Sequence, residues 1–140
     1  MVILVDTNVA LNYIFKREPY FQESAKIVSW CAEKKIDGYL AFHSVSTIWY
    51  VLRKLPDEER RGWLKSLCTI LGVAGATTEA VRDALNRTQF KDFEDCLQDK
   101  CAVNIHADYI VTGNTRDFEH AETKAINPAE FCAAFEKNSK

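Results

Sequence analysis

No apolar run in this 140-residue chain is long enough to cross a bilayer. Charge or polarity breaks each one first, so no transmembrane helix is expected. The opening residues, Met1 to Asn8, lack the basic start and small-residue cleavage site of a secretory signal, and they read instead as the first strand of a fold. Internal repeats and low-complexity tracts are missing. The five cysteines, Cys31, Cys68, Cys96, Cys101 and Cys132, form no CxxC or CxxxC pair, which argues against a zinc site. Reduced, mostly buried thiols in a cytoplasmic protein are expected instead. No Gly-rich loop of the GxxxxGKS type is present, so P-loop phosphate binding is excluded. An excess of one charge is also lacking: 18 basic residues face 20 acidic ones, for a net charge of −2. That balance does not describe a protein with a general appetite for nucleic acid.

What the chain has is the size of one domain, and a single domain spanning 1–140 is expected. Val2, Ile3, Leu4 and Val5 suit a strand buried on both faces of a parallel sheet. Asp6, Thr7 and Asn8 are good helix-start residues, and a short helix follows through Ile14. Residues 20–35 have helical spacing through Phe21, Ala25, Val28 and Ala32. Asp37-Gly38 reads as a turn, Tyr39 to Phe42 as a strand, and His43 or Ser44 as the cap of the next helix. A helix from Pro56 to about Leu71 begins with acid, as the helix dipole favours. Gly72 to Ala76 is a weak strand or loop, and Thr77 or Thr78 opens a helix to about Asn86. A helix over 92–104, a strand at Tyr109 to Thr112, a short strand near Ala125-Ile126 and a last helix from Pro128 complete the chain. Strands alternating with helices predict an α/β fold with a mostly parallel sheet covered by helices on both faces.

Charge is patterned. Arg53, Lys54, Arg60, Arg61 and Lys65 fall in one stretch, and Asp92, Glu94, Asp95 and Asp99 in another. A basic region beside an acidic one suits a phosphate backbone held near a metal, whereas solvated helix faces are the simpler account of the basic stretch. In a parallel sheet, functional residues lie beyond the carboxyl ends of strands. Asp6 follows the first strand, Asn114 and Asp117 follow the strand ending at Thr112, and Asp95 lies on the helix feeding that strand. Clustered carboxylates are costly unless a cation neutralises them, and Mg²⁺ and Mn²⁺ prefer such oxygen ligands. Each residue has a plainer alternative. Asp6 and Asp92 suit helix caps, Asp99 an exposed acidic helix face, and Asn114 and Asp117 the turn. His43, His106 and His120 show no ligand spacing and read as structural or surface residues. Trp30, Trp49 and Trp63 read as packing.

Three segments carry a family resemblance: Val5 to Asn8, Asp92 to Gln98, and Ala107 to Phe118. In order and separation they resemble the motifs of PIN-domain proteins, and in particular the toxins of VapBC toxin–antitoxin modules. The resemblance implies a three-layer α/β/α sandwich and a Mg²⁺- or Mn²⁺-dependent endoribonuclease. By motif, Asp6, Asp95 and Asp117 become the catalytic acids and metal ligands, with Asn114 standing where many members carry a further aspartate. Asn8 and Thr112 become residues that orient ligands or waters through hydrogen bonds. Arg116, within the third motif, joins Arg53 and Lys54 as a candidate substrate contact. Members usually carry a glutamate on the helix after the second strand. Here Ser46 or Thr47 takes that place, and Asp92 or Glu94 is left to compensate. The resemblance further implies an RNA substrate, an antitoxin protein partner and a homodimer. The missing glutamate and Asn114 motivate an alternative, a degenerate PIN fold that binds RNA or protein without catalysis. A phosphoryl-receiver domain ranks far behind, because the chain lacks the early acidic pair and placed lysine it would need.

Overall fold

Ile3, Leu4 and Val5 in β1 (Val2–Val5) have almost no exposure, as a strand covered on both faces requires. β1 is the middle of a parallel sheet with β2 (Asp37–Ala41), β3 (Gly72–Ala74), β4 (Tyr109–Val111) and β5 (Ala125–Ile126), in the order β3-β2-β1-β4-β5. Val5 stands opposite Val111, and Leu4 opposite both Tyr39 and Ile110. The helices are α1 (Thr7–Ile14), α2 (Phe21–Ala32), α3 (Phe42–Val51), α4 (Asp57–Ile70), α5 (Thr78–Asn86), α6 (Phe93–Asn104) and α7 (Pro128–Asn138), with a 3₁₀ turn at Thr115–Phe118. This computed structural model describes residues 1–138.

Alternation along the strands sorts the core into two halves. Ile3, Val5, Leu40 and Val111 pack with Val9 and Leu11 of α1, Ile27 of α2, Ile48 of α3, Leu67 of α4 and Phe131 of α7. Leu4, Ala41, Ala74 and Ile110 point the other way, toward Ala84 of α5, Cys96, Cys101 and Ala102 of α6, and Phe118. The result is the three-layer α/β/α sandwich. All five cysteines are free thiols; Cys68 alone is exposed, and burial pushes Cys31 up to about 12.

Three helices end in a left-handed residue that is not glycine: Lys16 (φ 50°), Lys34 (φ 61°) and His106 (φ 54°). In each case the next amide reaches back five residues: Arg17 N to Asn12 O, Lys35 N to Trp30 O and Ala107 N to Ala102 O. These are Schellman closures that satisfy carbonyls left open at the helix end.

Several local expectations shift. Asp37-Gly38 is the start of β2 and not a turn. Glycine is required there for closeness, since a Cβ would stand 2.5 Å from Cys31 Sγ and 2.8 Å from Leu71 Cδ2. β2 ends at Ala41, which is extended and serves as the backbone N-cap of α3. Phe42 therefore opens the helix and is 72% exposed, and neither His43 nor Ser44 is the cap. On α2 the buried stripe is Ser24, Ile27, Val28 and Cys31, one step around from the expected face. Asp99 is not on an exposed acidic face: it is 1% exposed and accepts from the amides of Glu122 (2.9 Å) and Thr123 (3.0 Å). Its carboxylate braces the loop leading into β5.

Candidate active site

From β1 the chain moves to β2 and β3 on one side, then crosses to β4 and β5 on the other. Such a switch point leaves the crevice beyond the carboxyl ends of the two adjacent strands uncovered. Asp6 and Thr112 are the first residues past the ends of β1 and β4.

Asp6 is 7% exposed. Its backbone caps α1, with the carbonyl accepting from Val9 N (3.0 Å), but its carboxylate makes no cap bond. Instead Thr112 Oγ1 donates to Asp6 Oδ2 at 2.8 Å. Burial raises the Asp6 pKa, the Thr112 hydroxyl and Thr7 amide pull it partly back, and the charges of Glu94 and Asp117 push it up again. Thr112 Oγ1 also accepts from Asn114 N at 3.0 Å, so one hydroxyl ties Asp6 to the loop after β4. Asn114 O accepts from Asp117 N at 3.0 Å, which shapes the 3₁₀ turn carrying Arg116 and Asp117.

The third contribution comes from the first turn of α6. Asp92 caps that helix, its Oδ1 accepting from Glu94 N at 2.9 Å. Asp95, one turn in, is half-buried. Its pKa is pushed up to about 7, first by burial and then by repulsion from Asp92, Asp6, Asp117 and Glu94. Asp92, Asp95 and Asp117 line a cleft of about 510 Å³, rimmed by Lys91, Arg116 and His120. The motif-bearing segments, far apart in sequence, thus meet at one end of the sheet and interact through their charges.

A family model described as PIN domain matches residues 2–116, from β1 into the turn after β4. The chain belongs to the PIN-domain family. Ribonuclease VapC1 of Aquifex aeolicus (strain VF5) is 24% identical over 134 residues, covering 93% of this chain and 92% of that protein. Among solved structures, VapBC2 from Rickettsia felis, bound to a DNA fragment from its promoter, matches with a TM-score of 0.66 at 17% identity, over 91% of this chain and 98% of that one. VapBC-1 from nontypeable Haemophilus influenzae matches with a TM-score of 0.68 at 14% identity, over 92% and 99%. At those identities the solved structures establish a shared PIN fold.

Within this PIN fold the residues singled out by sequence divide into two groups. Asp6, Asp92, Asp95, Thr112, Asn114, Arg116 and Asp117 gather at the switch point, and Asn8 is exposed on the first turn of α1 nearby. Arg53 and Lys54 lie elsewhere, past the far end of α3, roughly 15 Å from its start by helix rise. Arg53 donates to Tyr50 O at 3.2 Å, while Arg60 donates to Trp49 O at 2.6 Å and stacks on the Trp49 ring. Part of the basic stretch therefore ties α3 to α4. Thr47 bonds back to His43 O at 3.2 Å, and Ser46 to the same carbonyl at 2.9 Å. The α3 hydroxyl that reaches the neighbouring helices belongs to Ser44, bonded to Thr7 and Gln98. Sequence reading missed those three residues, as it missed Lys91 and the placement of His120 on the cleft rim. The position of Gln98 one turn after Asp95 was the only available signal. Among the described residues, no three His, Cys, Asp or Glu side chains stand ready to enclose an ion.

Proposed function

We propose that this chain is a divalent-metal-dependent endoribonuclease, in which Asp6, Asp95 and Asp117, with Asn114, hold Mg²⁺ or Mn²⁺. We further propose that it is a cytoplasmic toxin restrained by an antitoxin protein. The observation that carries this reading is the meeting of Asp6 after β1, Asp95 on α6 and Asp117 in the turn after β4 at one end of the sheet, near enough for their charges to repel. A cation relieves such repulsion. The donors are hard oxygens, which suit Mg²⁺ or Mn²⁺, and Mg²⁺ in particular keeps several waters and needs few carboxylates, so no enclosed cage is required. The VapC1 relative is named a ribonuclease, and the matched VapBC structures are named as pairs; both support the activity and the partner proposed here.

A bound ion would supply Lewis-acid stabilisation of phosphoryl charge and a more acidic water. The chain's own residues do the positioning. Thr112 holds one oxygen of Asp6 and the backbone of Asn114, which fixes the first acid relative to the Asp117 turn. Lys91 and Arg116 on the rim would meet phosphates of an RNA strand, the sequence-independent part of binding. With Ser46 or Thr47 and Asn114 standing where the fuller family pattern has acids, the site carries fewer charges, so ion affinity is expected to be modest.

The test is cleavage of a pool of labelled structured and single-stranded RNAs by metal-stripped protein in EDTA, Mg²⁺ or Mn²⁺, beside Asp6→Asn. Metal-dependent cleavage lost in Asp6→Asn supports the reading, and cleavage that persists in the variant refutes it. The hydroxyl of Ser46 or Thr47 and the amide of Asn114, where the family pattern carries acids, favour a second reading, a non-catalytic RNA- or protein-binding module. That module would bind its partner equally well in EDTA.

A further inference from the structure

Beneath the acidic cleft lies a buried polar contact among three helices. Thr7 Oγ1 donates to Ser44 Oγ at 2.7 Å, and Gln98 Nε2 donates to Ser44 Oγ at 2.9 Å and to Thr7 Oγ1 at 3.3 Å. The three side chains are 7%, 0% and 1% exposed, respectively. Thr7 directly follows Asp6 and is the first residue of α1. Gln98 lies one turn after Asp95 on α6, on the same side of that helix. Ser44 is in the first turn of α3. Helices α1 and α3 pack in one layer and α6 in the other, so the contact joins the two layers beside the strand ends.

Stability alone gives a poor account of this contact. Gln98 Oε1 is buried with no hydrogen-bond partner among the described residues. An unpaired buried acceptor is costly, and replacing an entire buried polar contact with apolar groups of similar shape is often neutral or stabilising. A leucine at 98 would pack in the surrounding core without that penalty. The location of the contact supplies the reason for keeping it. Asp6 and Asp95 come from separate layers and repel each other, so nothing between the two carboxylates themselves sets their spacing. Hydrogen bonds are directional where apolar contacts are not, and a directional link between the residue after Asp6 and the turn after Asp95 fixes their separation.

We infer that Thr7, Ser44 and Gln98 are positioning residues that set the spacing of Asp6 and Asp95 for a divalent cation. This rests on the nuclease reading above for the use of that ion, but the ion-binding claim can be tested separately. The full chain is compared with Thr7→Val, Thr7→Ser and the triple variant Thr7→Val/Ser44→Ala/Gln98→Leu. The measurements are thermal midpoint, Mn²⁺ affinity by electron paramagnetic resonance titration, and kcat and KM on an RNA the protein cuts. The triple variant is expected to melt at or above the parent temperature, bind Mn²⁺ at least about tenfold more weakly and lose at least about tenfold in kcat, the usual size of effects one shell out from a metal. KM is expected to stay unchanged, and Thr7→Ser to recover most of what Thr7→Val loses. Unchanged Mn²⁺ affinity in the triple variant overturns the inference, as does a loss of affinity that merely tracks a lower melting temperature. Should the triple variant not fold, Thr7→Val against Thr7→Ser carries the same comparison. Weakened Mn²⁺ binding with no RNA cut by any form would uphold the inference and sink the nuclease reading. A parent protein that neither binds Mn²⁺ nor cuts RNA overturns both.

Discussion

Replacing Asp95 with asparagine is expected to stabilise the ion-free protein while abolishing the proposed RNA cleavage. The folded-state pKa of Asp95 rises from an ordinary 3.8 to about 7. At about 1.36 kcal/mol per pH unit that is roughly 4 kcal/mol, and solvent screening at this part-exposed position reduces it to about 2 kcal/mol. The sign follows from proton binding. Between the two pKa values the folded chain holds a proton that the unfolded chain has released, so stability falls as pH rises through the window. Above pH 7 the full cost of the buried charge is present, and below 3.8 it is gone. Asp95→Asn removes that charge, so at pH 8 in EDTA it should gain about 2 kcal/mol, or roughly 6 °C in Tm for a chain of this length. Most of the difference should vanish by pH 4. Added Mg²⁺ should then narrow the gap from the other side, because an ion at about a hundred times its Kd stabilises the parent by about 2.7 kcal/mol and the variant by less. Melting curves at pH 8 and pH 4, with and without Mg²⁺, provide the assay. An Asp95→Asn protein that melts at or below the parent at pH 8 without ion would refute the claim that repulsion and burial dominate at this carboxylate.

Three further perturbations follow from the same structure. Thr112→Val removes the donor to Asp6 and the acceptor for Asn114 N; it should cost about 1–3 kcal/mol in urea unfolding and lower RNA cleavage with it. Asp99→Leu strands the amides of Glu122 and Thr123, and a loss of about 2–4 kcal/mol should appear in the same assay, with faster amide exchange at those two residues. Lys34→Gly relieves a left-handed residue at φ 61°; after the entropy glycine adds to the unfolded chain, a gain of about 0.5 kcal/mol is expected, and any loss of stability would contradict the strain assigned there.

The sequence made the fold legible where hydrophobic period and chain punctuation agreed. The run at 2–5, the acid-led helix at 57–70 and the threonine-capped helix at 78–86 all stand where the pattern predicts them. It failed where a residue type has two uses. Gly38 reads as a turn residue, yet it lies inside β2 because α2 passes too close for a side chain. Ser44 reads as a cap, yet its hydroxyl is buried in a contact between helices. In helix α6, Gln98, Asp99 and Lys100 are consecutive polar residues buried beside Cys96, Cys101 and Ala102, so polarity does not separate its inward face from its outward one. The acids of the cleft were legible because they follow strand ends or motif segments. Thr112 was legible by motif as a residue that orients a ligand, but the contact of Thr7, Ser44 and Gln98 was not, because hydrogen bonds between residues 37 to 91 positions apart leave no local trace.

The central place of β1 also governs when the cleft can come into being. Asp6 is made before the hydroxyl that holds it, which belongs to Thr112, 106 positions later, and β1 has an open edge until β4 pairs with it. Contacts of such long sequence separation form late and slowly. A growing chain therefore carries Asp6 through the synthesis of everything up to Thr112 without its hydrogen-bond partner, and a product truncated before β4 would have the exposed strand edge of a sticky fragment and no cleft.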